Sequence, residues 1–293
     1  MASNALFLGV DGGGTRCRAR LADAGGNRLG EGEGGPANVR FGVPQAFASV
    51  RQATLQALRE AQLAADDLPR ITACLALAGA TEPAWLDAAQ AHPHVFRRAI
   101  ITADAHAACV GAHHGHDGGV VIVGTGSIGW TVLRGRQHRV GGWGFELSDE
   151  GSGAWIGRET LRRTLAVHDG RAPSTPLLDA VFARFGNAAA LVQFGSRAVP
   201  RDFAALAPTV LEHAARRDAA ALAILRLAAA HLDVIAARLI ALGAPRLALS
   251  GGLGAHITGF LSAATRRRLV APQGDALDGA LLLARATALA AAA

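Results

Sequence analysis

The chain has 293 residues, of which 51% are hydrophobic and 18% charged, a balance that supplies a core and argues against intrinsic disorder. Its formal net charge is +6, and all 29 basic residues are arginine. Because these arginines are scattered and aromatic residues make up only 5%, no nucleic-acid surface is predicted, whereas a positive field suits an anionic small substrate. The absence of lysine excludes P-loop NTPases, protein kinases and pyridoxal enzymes, which all need one.

The sequence predicts neither a membrane partner nor an extracellular location. No stretch is expected to be long and apolar enough to cross a bilayer, and the first residues do not resemble a signal peptide. The three cysteines, Cys17, Cys74 and Cys109, lie far apart and form no CxxC pair. This spacing predicts neither a zinc site nor a disulfide framework and is typical of the reducing cytoplasm.

Strands and helices alternate along the first hundred residues. Apolar runs predict strands at residues 7–10, 71–78 and 98–102, and alternation of apolar residues with arginine predicts a strand at 17–21. Helical spacing of apolar residues predicts helices at 45–65, 83–91 and 105–111. This alternation predicts an α/β fold with mixed sheets.

A glycine loop follows the first strand. Gly12, Gly13 and Gly14, followed by Thr15, allow the backbone to turn tightly and to direct its N–H groups at phosphate oxygens. The carboxylate of Asp11 would repel phosphate unless a cation lay between them, so it predicts a Mg²⁺ ion. The alternative is a plain glycine hairpin in which Asp11 is only a turn residue.

Two polar residues in this first part are candidates for contact with an acceptor substrate. Asp104 follows a strand and precedes a helix, so it can act as the helix N-cap, as a general base that deprotonates a hydroxyl, or as both. Asn38 lies in a glycine-rich loop, where it is either a turn residue or a partner for a sugar hydroxyl.

The order of strand, glycine loop, strand, turn and strand occurs again near residue 123, which predicts two similar halves. The strands of this second set are expected at 120–123, 128–133 and 137–140. Helices are then expected at 154–167, 175–185, 202–216 and 219–242. A strand at 247–250, a last strand at 269–271 and a terminal helix at 276–293 complete the prediction.

Gly124, Thr125 and Gly126 form the second glycine loop. With Gly129 they match the GxGxxG pattern of dinucleotide-binding proteins, which would indicate a dehydrogenase. That pattern must open a helix, whereas the residues that follow here alternate as in a strand and then turn at Gly135. A second phosphate loop, with the Thr125 hydroxyl as a further donor, is therefore the preferred interpretation.

Two further glycine-rich segments carry candidate ligands. Asp149 and Glu150 can accept hydrogen bonds from neighbouring sugar hydroxyls, although Glu150 can instead interact with the dipole of the next helix. Trp143 can offer a flat apolar face to a sugar ring, or it can belong to the core. Gly251 and Gly252 follow a strand and would let a flat ring or a ribose approach the backbone.

Several short segments carry a family resemblance when they are taken together. They are VDGGGT at 10–15, GPAN at 35–38, LALAGA at 75–80, TADAHAAC at 102–109, IVGTGS at 122–127, GGWGFELSDEGSG at 141–153 and LSGGLG at 249–254. In this order they resemble the BadF/BadG-type and N-acetylglucosamine kinase group of the actin/hexokinase/Hsp70 superfamily. Within that group the chain is most similar to bacterial glucosamine-specific kinases.

The resemblance implies a two-lobed, actin-like ATPase fold of the ribonuclease H-like type, with ATP and a sugar in an interlobe cleft. It implies an N-terminal lobe of residues 1–108, onto which the last helix at 275–293 packs back, and a C-terminal lobe of residues 109–274. It also implies a homodimer.

The resemblance further implies a role for each candidate residue. Asp104 would act as the base toward the sugar 6-hydroxyl, and Asp11 would lie near Mg²⁺. The ATP phosphates would contact Gly12, Gly13, Gly14, Thr15, Gly124, Thr125 and Gly126, and the adenosine would contact Gly251 and Gly252. The sugar pocket would be lined by Asn38, Ala78, Gly79 and Asp149.

The predicted function is ATP-dependent phosphorylation of D-glucosamine at its 6-hydroxyl, with N-acetylglucosamine as the alternative substrate. Outside the kinases, the alternatives are a non-catalytic sugar sensor on the same fold and an NAD-dependent dehydrogenase. The sensor would need an added DNA-binding segment, for which a chain that starts almost at its first strand is expected to have no room. An iron–sulfur activator would need cysteines in a cluster loop, whereas these are predicted in strands and a helix.

Overall fold

The computed structural model describes residues 5–290, and within them it places nine strands and twelve helices. The strands are β1 (Leu6–Gly12), β2 (Cys17–Ala22), β3 (Arg28–Gly34), β4 (Ile71–Leu77), β5 (Arg98–Ala103), β6 (Gly118–Val123), β7 (Ser127–Leu133), β8 (Arg136–Gly141) and β9 (Leu247–Ser250). The helices are α1 (Val43–Glu60), α2 (Pro83–Gln90), α3 (Asp104–Ala112), α4 (Gly153–His168), α5 (Pro176–Phe185), α6 (Ala188–Arg197), α7 (Pro200–Ala204), α8 (Ala207–Ala215), α9 (Ala219–Ala241), α10 (Gly254–Ile257), α11 (Ala263–Arg266) and α12 (Ala276–Ala290). Short 3-10 helices cover Val39–Phe41, Ala65–Arg70 and Thr258–Phe260. The predicted α/β fold class is confirmed.

The described residues divide into two compact units. Unit 1 contains those of Met1–Val120, Thr131–Gln137 and Ala271–Ala293, and unit 2 contains Val121–Trp130 and His138–Val270. Helix α12 therefore belongs to unit 1, although it lies at the other end of the chain from β1. Residues 1–4 of the predicted N-terminal lobe and 291–293 of the predicted terminal helix lie outside the described residues.

The first sheet has the strand order β3-β2-β1-β4-β5. Strand β2 is antiparallel to β1 and β3, whereas β1, β4 and β5 are parallel to one another. Strand β4 is buried along its whole length because helices cover both of its faces. On one face Leu75 packs in a cluster with residues of α1, and on the other Ala76 packs with Ala107 of α3 and Ala280 of α12.

Glycine allows the helices to approach this sheet closely. Strand β3 alternates glycine with glutamate, and a Cβ placed on Gly32 would lie 2.1 Å from the carbonyl oxygen of Ala53 in α1. Gly30 and Gly34 meet α1 in the same way. The outer edge of β3 is also covered by side chains of α1. The N–H of Glu31 donates to Glu60, and the N–H of Glu33 donates to Gln56.

The second sheet has the order β8-β7-β6-β9, and the core of unit 2 lies between this sheet and the helices that follow it. Helix α9 supplies much of that core through Ile224, Leu225, Leu232 and Leu239. Contrary to the expectation from the sequence, α9 has the length and apolar composition of a membrane-spanning helix, and α5 with α6 passes the same test as a pair bent by 79°. Half of the most apolar window of α9 is buried inside the protein, as in core helices of globular proteins.

Three local predictions differ from the structure. The single helix predicted at 202–216 is split into α7 and α8, because Pro208 near the start of α8 cannot continue the hydrogen bonds of a preceding helix. Helix α6, which was not predicted, begins after Asn187, whose side chain accepts the N–H of Ala190. The last predicted strand is reduced to a single bridge between Leu247 and Leu269.

Candidate active-site residues

The first glycine loop connects β1 to β2 in unit 1. The N–H of Gly13 donates to the carbonyl of Arg16 at 2.9 Å and closes the turn, which leaves Gly14 and Thr15 exposed at its tip. Within the described residues, the N–H groups of Gly14 and Thr15 have no acceptor. The tip of the loop therefore has two unpaired backbone donors, a feature of anion-binding loops.

The segment that carries Asn38 and the end of β4 both pack against this loop. The N–H of Ala37 donates to the carbonyl of Gly13 at 2.9 Å, and the N–H of Ala78 donates to the carbonyl of Gly12 at 2.7 Å. Asn38 and Ala78 form a parallel bridge. The predicted sugar ligands Asn38 and Ala78 are thus joined to the first glycine loop within unit 1.

One of the two polar groups of the Asn38 side chain makes a hydrogen bond within the protein. Its Oδ1 accepts the N–H of Arg40 at 3.0 Å, so it caps the short 3-10 helix that follows. Gly79, which has φ +83°, abuts the same oxygen, and a Cβ there would lie 2.5 Å from it. The amide NH₂ of Asn38 remains as a donor that no acceptor in the described residues engages.

Asp104 is the first residue of α3. The predicted N-cap role is wrong in detail, because the N-cap is Ala103 and Asp104 lies in the first turn, where its Oδ1 accepts the N–H of Ala105 at 2.8 Å. Burial, together with the negative charge of Asp11, raises the pKa of Asp104 from 3.8 to about 6. Asp104 is therefore a carboxylate that can take a proton near neutral pH, in the same part of unit 1 as Asp11.

Asp11 is paired with a cation, Arg18, that no sequence motif indicates. In the register of β1 with β2 it lies opposite Arg18, and Arg18 Nη2 is 2.8 Å from Asp11 Oδ2. Burial lowers the pKa of Arg18, but its hydrogen bond to Asp11 and the charges of Asp11 and Asp275 raise it overall. Asp11 Oδ1 accepts no hydrogen bond from the described residues.

The second glycine loop connects β6 to β7 in unit 2. Its carbonyl oxygens are engaged by the start of α4, because Gly153 N–H donates to Gly124 at 2.8 Å and Ala154 N–H donates to Thr125 at 3.1 Å. In the described residues, the N–H groups of Thr125 and Gly126 have no acceptor. This loop, like the first, has unpaired backbone donors, and its three carbonyls all accept hydrogen bonds within the protein.

Asp149 lies against the second glycine loop. Its backbone has φ +63°, and a Cβ on Gly126 would lie 2.7 Å from its Oδ2. Burial raises its pKa, which hydrogen bonds from the N–H groups of Gly144 and Ser127 partly offset. Ser127 Oγ also donates to the carbonyl of Glu150 at 2.8 Å. The segment around Asp149 therefore supports the shape of the loop in unit 2.

Gly251 and Gly252 lie in the turn after β9. Gly251 has φ +89°, and a Cβ there would lie 2.3 Å from the carbonyl oxygen of Val123, the last residue of β6. Leu253 N–H donates to that same carbonyl at 3.0 Å. A Cβ on Gly252 would meet no atom within 4 Å, so the backbone is open to a ligand there. The turn thus reaches the strand end from which the second glycine loop starts.

Trp143 and Glu150 have different environments. Trp143 is 60% exposed, which excludes a core role, and the guanidinium of Arg139 lies 3.8 Å from the centre of its ring. Ser152 caps α4 by accepting the N–H of Trp155 at 3.1 Å, and Glu150 precedes this cap by two residues, outside the first turn of the helix. Trp143 is therefore available at the surface of unit 2.

Comparisons with known proteins identify the family. The sequence profile of the BadF/BadG/BcrA/BcrD ATPase family matches residues 8–284. The chain belongs to this ATPase family. It is 38% identical to glucosamine kinase GspK of Vibrio cholerae over 279 residues, which is 95% of either chain. It is 30% identical over 190 residues to an N-acetyl-D-glucosamine kinase of Dictyostelium discoideum, over 60% of this chain and 59% of that one.

Solved structures share the fold of this ATPase. A Chromobacterium violaceum protein, provisionally named an N-acetylglucosamine kinase, has a TM-score of 0.89 and 37% identity, and the match covers 96% of this chain and 99% of that one. A ROK family glucokinase from Streptomyces griseus, in complex with glucose and AMPPNP, has a TM-score of 0.56 at 19% identity over 96% and 100% of the two chains. At this low identity, the similarity to the glucokinase shows only that the fold is shared. The predicted fold of the actin-like sugar kinases is confirmed.

The start of β7 bears on the dehydrogenase alternative, and the environment of the cysteines bears on an iron–sulfur activator. The GxGxxG pattern does not open a helix, because β7 begins at Ser127, and the helix dipole of a dinucleotide site is therefore missing. Cys17, Cys74 and Cys109 are free and buried, and burial raises the pKa of each thiol to about 12. No group of three or more metal-ligating side chains occurs among residues 5–290.

Proposed function

We propose that this ATPase phosphorylates an amino sugar, D-glucosamine, at its 6-hydroxyl. The observation that carries the proposal is Asp104, a carboxylate with a pKa of about 6, in a unit that also holds the first glycine loop and the free amide of Asn38. The choice of glucosamine is supported by 38% identity to glucosamine kinase GspK over 95% of either chain. N-acetylglucosamine is the second candidate, because the Dictyostelium and Chromobacterium relatives carry that substrate in their names.

In the proposed reaction, Asp104 accepts the proton of the sugar 6-hydroxyl as its oxygen attacks the γ-phosphorus of ATP. The new bond joins that oxygen to phosphorus, the bond to the β–γ bridging oxygen breaks, and ADP leaves. The Asn38 amide would donate to a sugar hydroxyl, and Ala78, Gly79 and Asp149 are proposed to complete the sugar contacts. The exposed ring of Trp143 is proposed for the apolar face of the sugar.

The nucleotide is proposed to bind through backbone groups. The free N–H groups at Gly14, Thr15, Thr125 and Gly126 would hold the phosphates. The neighbouring Gly12, Gly13 and Gly124 would line the phosphate site, and the N–H groups of Gly13 and Gly124 close the two turns by donating to the carbonyls of Arg16 and Gly126. Gly251 and Gly252 would lie at the adenosine. Binding through N–H groups suits a chain that has no lysine to offer to the phosphates.

A Mg²⁺ ion fits the residues near the first loop. Asp11 offers one free carboxylate oxygen, and no protein cage of three or more ligands exists in the described part of the chain. Mg²⁺ is commonly bound through one or two carboxylates, waters and substrate phosphates, which is the donor set that Asp11 and ATP would supply. When bound, the ion neutralises part of the phosphate charge.

The proposal is tested by a coupled assay of ADP release with glucose, glucosamine and N-acetylglucosamine, and by ³¹P NMR of the product. Glucosamine is expected to give the highest kcat/KM, with the phosphate on the 6-oxygen. Preference for N-acetylglucosamine would favour the second candidate. If ADP were released at the same rate with and without each of the three sugars, the protein would not be a sugar kinase.

The homodimer and the cytoplasmic location are proposed from the family resemblance. The three free, buried cysteines support a reducing compartment. Light scattering of the purified protein would test the oligomeric state, and a single mass equal to the 30.0 kDa chain would contradict a dimer.

The pH dependence of kcat is expected to follow the ionisation of Asp104. Because a general base must be deprotonated and the pKa of Asp104 is raised to about 6, kcat should rise with pH through about 6 and then level off. ADP affinity, measured over the same range, should change much less. A kcat that stays constant from about pH 5 to about pH 8 would contradict the role of Asp104.

Gly252→Val is expected to weaken ATP binding without affecting folding. A side chain at this position has open space, so it should not strain the protein, but it would occupy the place proposed for adenosine. The KM for ATP should rise about tenfold, with the melting temperature unchanged. Gly259→Val is the matched control, because Gly259 also has open space in unit 2 and no proposed ligand. Equal KM values in the two variants would remove Gly252 from the site.

A further inference from the structure

Arg18 lies where it can control the position of Asp11. The two residues face each other across the β1–β2 hairpin, and the ion pair joins Arg18 Nη2 to Asp11 Oδ2 at 2.8 Å. The side chains are only 28% and 23% exposed. Such a pair is screened less by salt than a surface pair, so it can fix the carboxylate in one orientation.

The same guanidinium also contacts the beginning of α12. Arg18 Nη1 is 3.4 Å from Asp275 Oδ2. Asp275 and Asp278 form reciprocal hydrogen bonds of 3.0 Å, each backbone N–H donating to the carboxylate of the other, which fixes the first turn of the helix. A planar guanidinium can hold two carboxylates at once, which a single ammonium does less well.

Helix α12 is itself firmly packed on the strand that carries Asp11. A Cβ on Gly9 of β1 would lie 2.6 Å from the carbonyl oxygen of Leu277, so strand and helix are in direct backbone contact. Arg18 therefore connects Asp11 to an element that cannot shift without disturbing the core of unit 1.

We infer that Arg18 is a positioning residue, which holds Oδ2 of Asp11 and anchors it to the start of α12, so that Oδ1 remains for the hydrated Mg²⁺ of a bound nucleotide. The inference rests on the proposed role of Asp11. In this chain without lysine, Arg18 supplies the positive charge beside the carboxylate of the first loop. That charge also reduces the repulsion between Asp11 and the phosphates.

The test compares Arg18→Met, Arg18→Lys and Arg20→Met. Arg20 is the matched control, because it lies on the same strand and contacts Glu31, Asp275 and Asp278 but not Asp11. Binding of ADP is measured by calorimetry over a series of Mg²⁺ concentrations, and the melting temperature of each variant is recorded. Binding is chosen because it does not require sugar phosphorylation.

Arg18→Met is expected to raise the Mg²⁺ concentration for half-maximal ADP binding by about 10–100-fold, the usual effect of removing a partner of a metal ligand. ADP binding without Mg²⁺ should change less than about threefold, because the backbone donors remain. Arg18→Lys, which keeps the charge but not the two-carboxylate geometry, should recover part of the loss. Arg20→Met should lower the melting temperature but leave the Mg²⁺ requirement within about twofold.

Equal Mg²⁺ requirements in Arg18→Met and Arg20→Met would overturn the inference and leave Arg18 a structural residue. Wild-type protein that binds ADP without any Mg²⁺ dependence would overturn it as well. Failure of the proposed function has a different signature, since Mg²⁺-dependent ADP binding would persist while no sugar is phosphorylated.

Discussion

Asp104→Asn is expected to lower kcat for sugar phosphorylation about 10³-fold, while ADP affinity stays within about threefold of wild type. The amide has the shape of the carboxylate but cannot accept the hydroxyl proton. ADP affinity should persist because the proposed nucleotide contacts are backbone N–H groups of the two glycine loops. Steady-state kinetics and calorimetry measure the two effects separately.

The same variant is expected to be more stable than wild type at neutral pH. The pKa of Asp104 is raised in the folded protein to about 6, so its charged form opposes folding above the unfolded pKa of 3.8. The amide removes that cost, and the gain in melting temperature should vanish at pH below about 4.

The control for both predictions is Asp87→Asn, at an exposed residue of α2, which should change neither kcat nor stability. A parallel loss of kcat and ADP affinity in Asp104→Asn would contradict the assigned role.

Gly279→Ala is expected to destabilise the protein by about 3 kcal/mol. Gly279 lies where α12 crosses α3, and a Cβ there would lie 1.9 Å from the carbonyl oxygen of Ala107 and 2.6 Å from the N atom of Gly111. Both neighbours are helix backbone, which cannot rotate away as a side chain can. Urea unfolding measures the loss.

Gly195→Ala is the matched control for this substitution. Gly195 also lies in a helix, α6, but a Cβ there would meet no atom within 4 Å. Alanine should therefore stabilise the protein by about 0.5–1 kcal/mol, because it has the higher helix propensity. If both substitutions stabilised the protein, the close packing of α12 on α3 would be refuted.

Much of the fold could be predicted because its signals are local. The strands before both glycine loops are short apolar runs, and they appear as β1 and β6 within two residues of the predicted bounds. Helix α9 was predicted over its whole length, with an end one residue beyond the observed one. The break between α7 and α8 was missed, although Pro208 is a local signal that argues for it.

The partners of the candidate site residues were harder to predict because they depend on register and on distant contacts. Arg18 lies seven positions after Asp11, and pairing the residues across the hairpin would have placed them face to face. The contact of Asp149 with Gly126 depends on a backbone with φ +63° that no simple pattern indicates. The sequence does not decide between core and surface for Trp143, because a lone tryptophan in a glycine-rich loop is compatible with both.

The outer border of the first sheet has a consequence for assembly. Strand β3 lies last in that sheet, and an unpaired border strand ordinarily invites a foreign strand to join it. Here Glu60 and Gln56 already occupy the outward donors of Glu31 and Glu33. A strand from another molecule could not pair with those N–H groups. Copies of this protein are therefore expected to associate through side-chain surfaces and not by joining their sheets edge to edge.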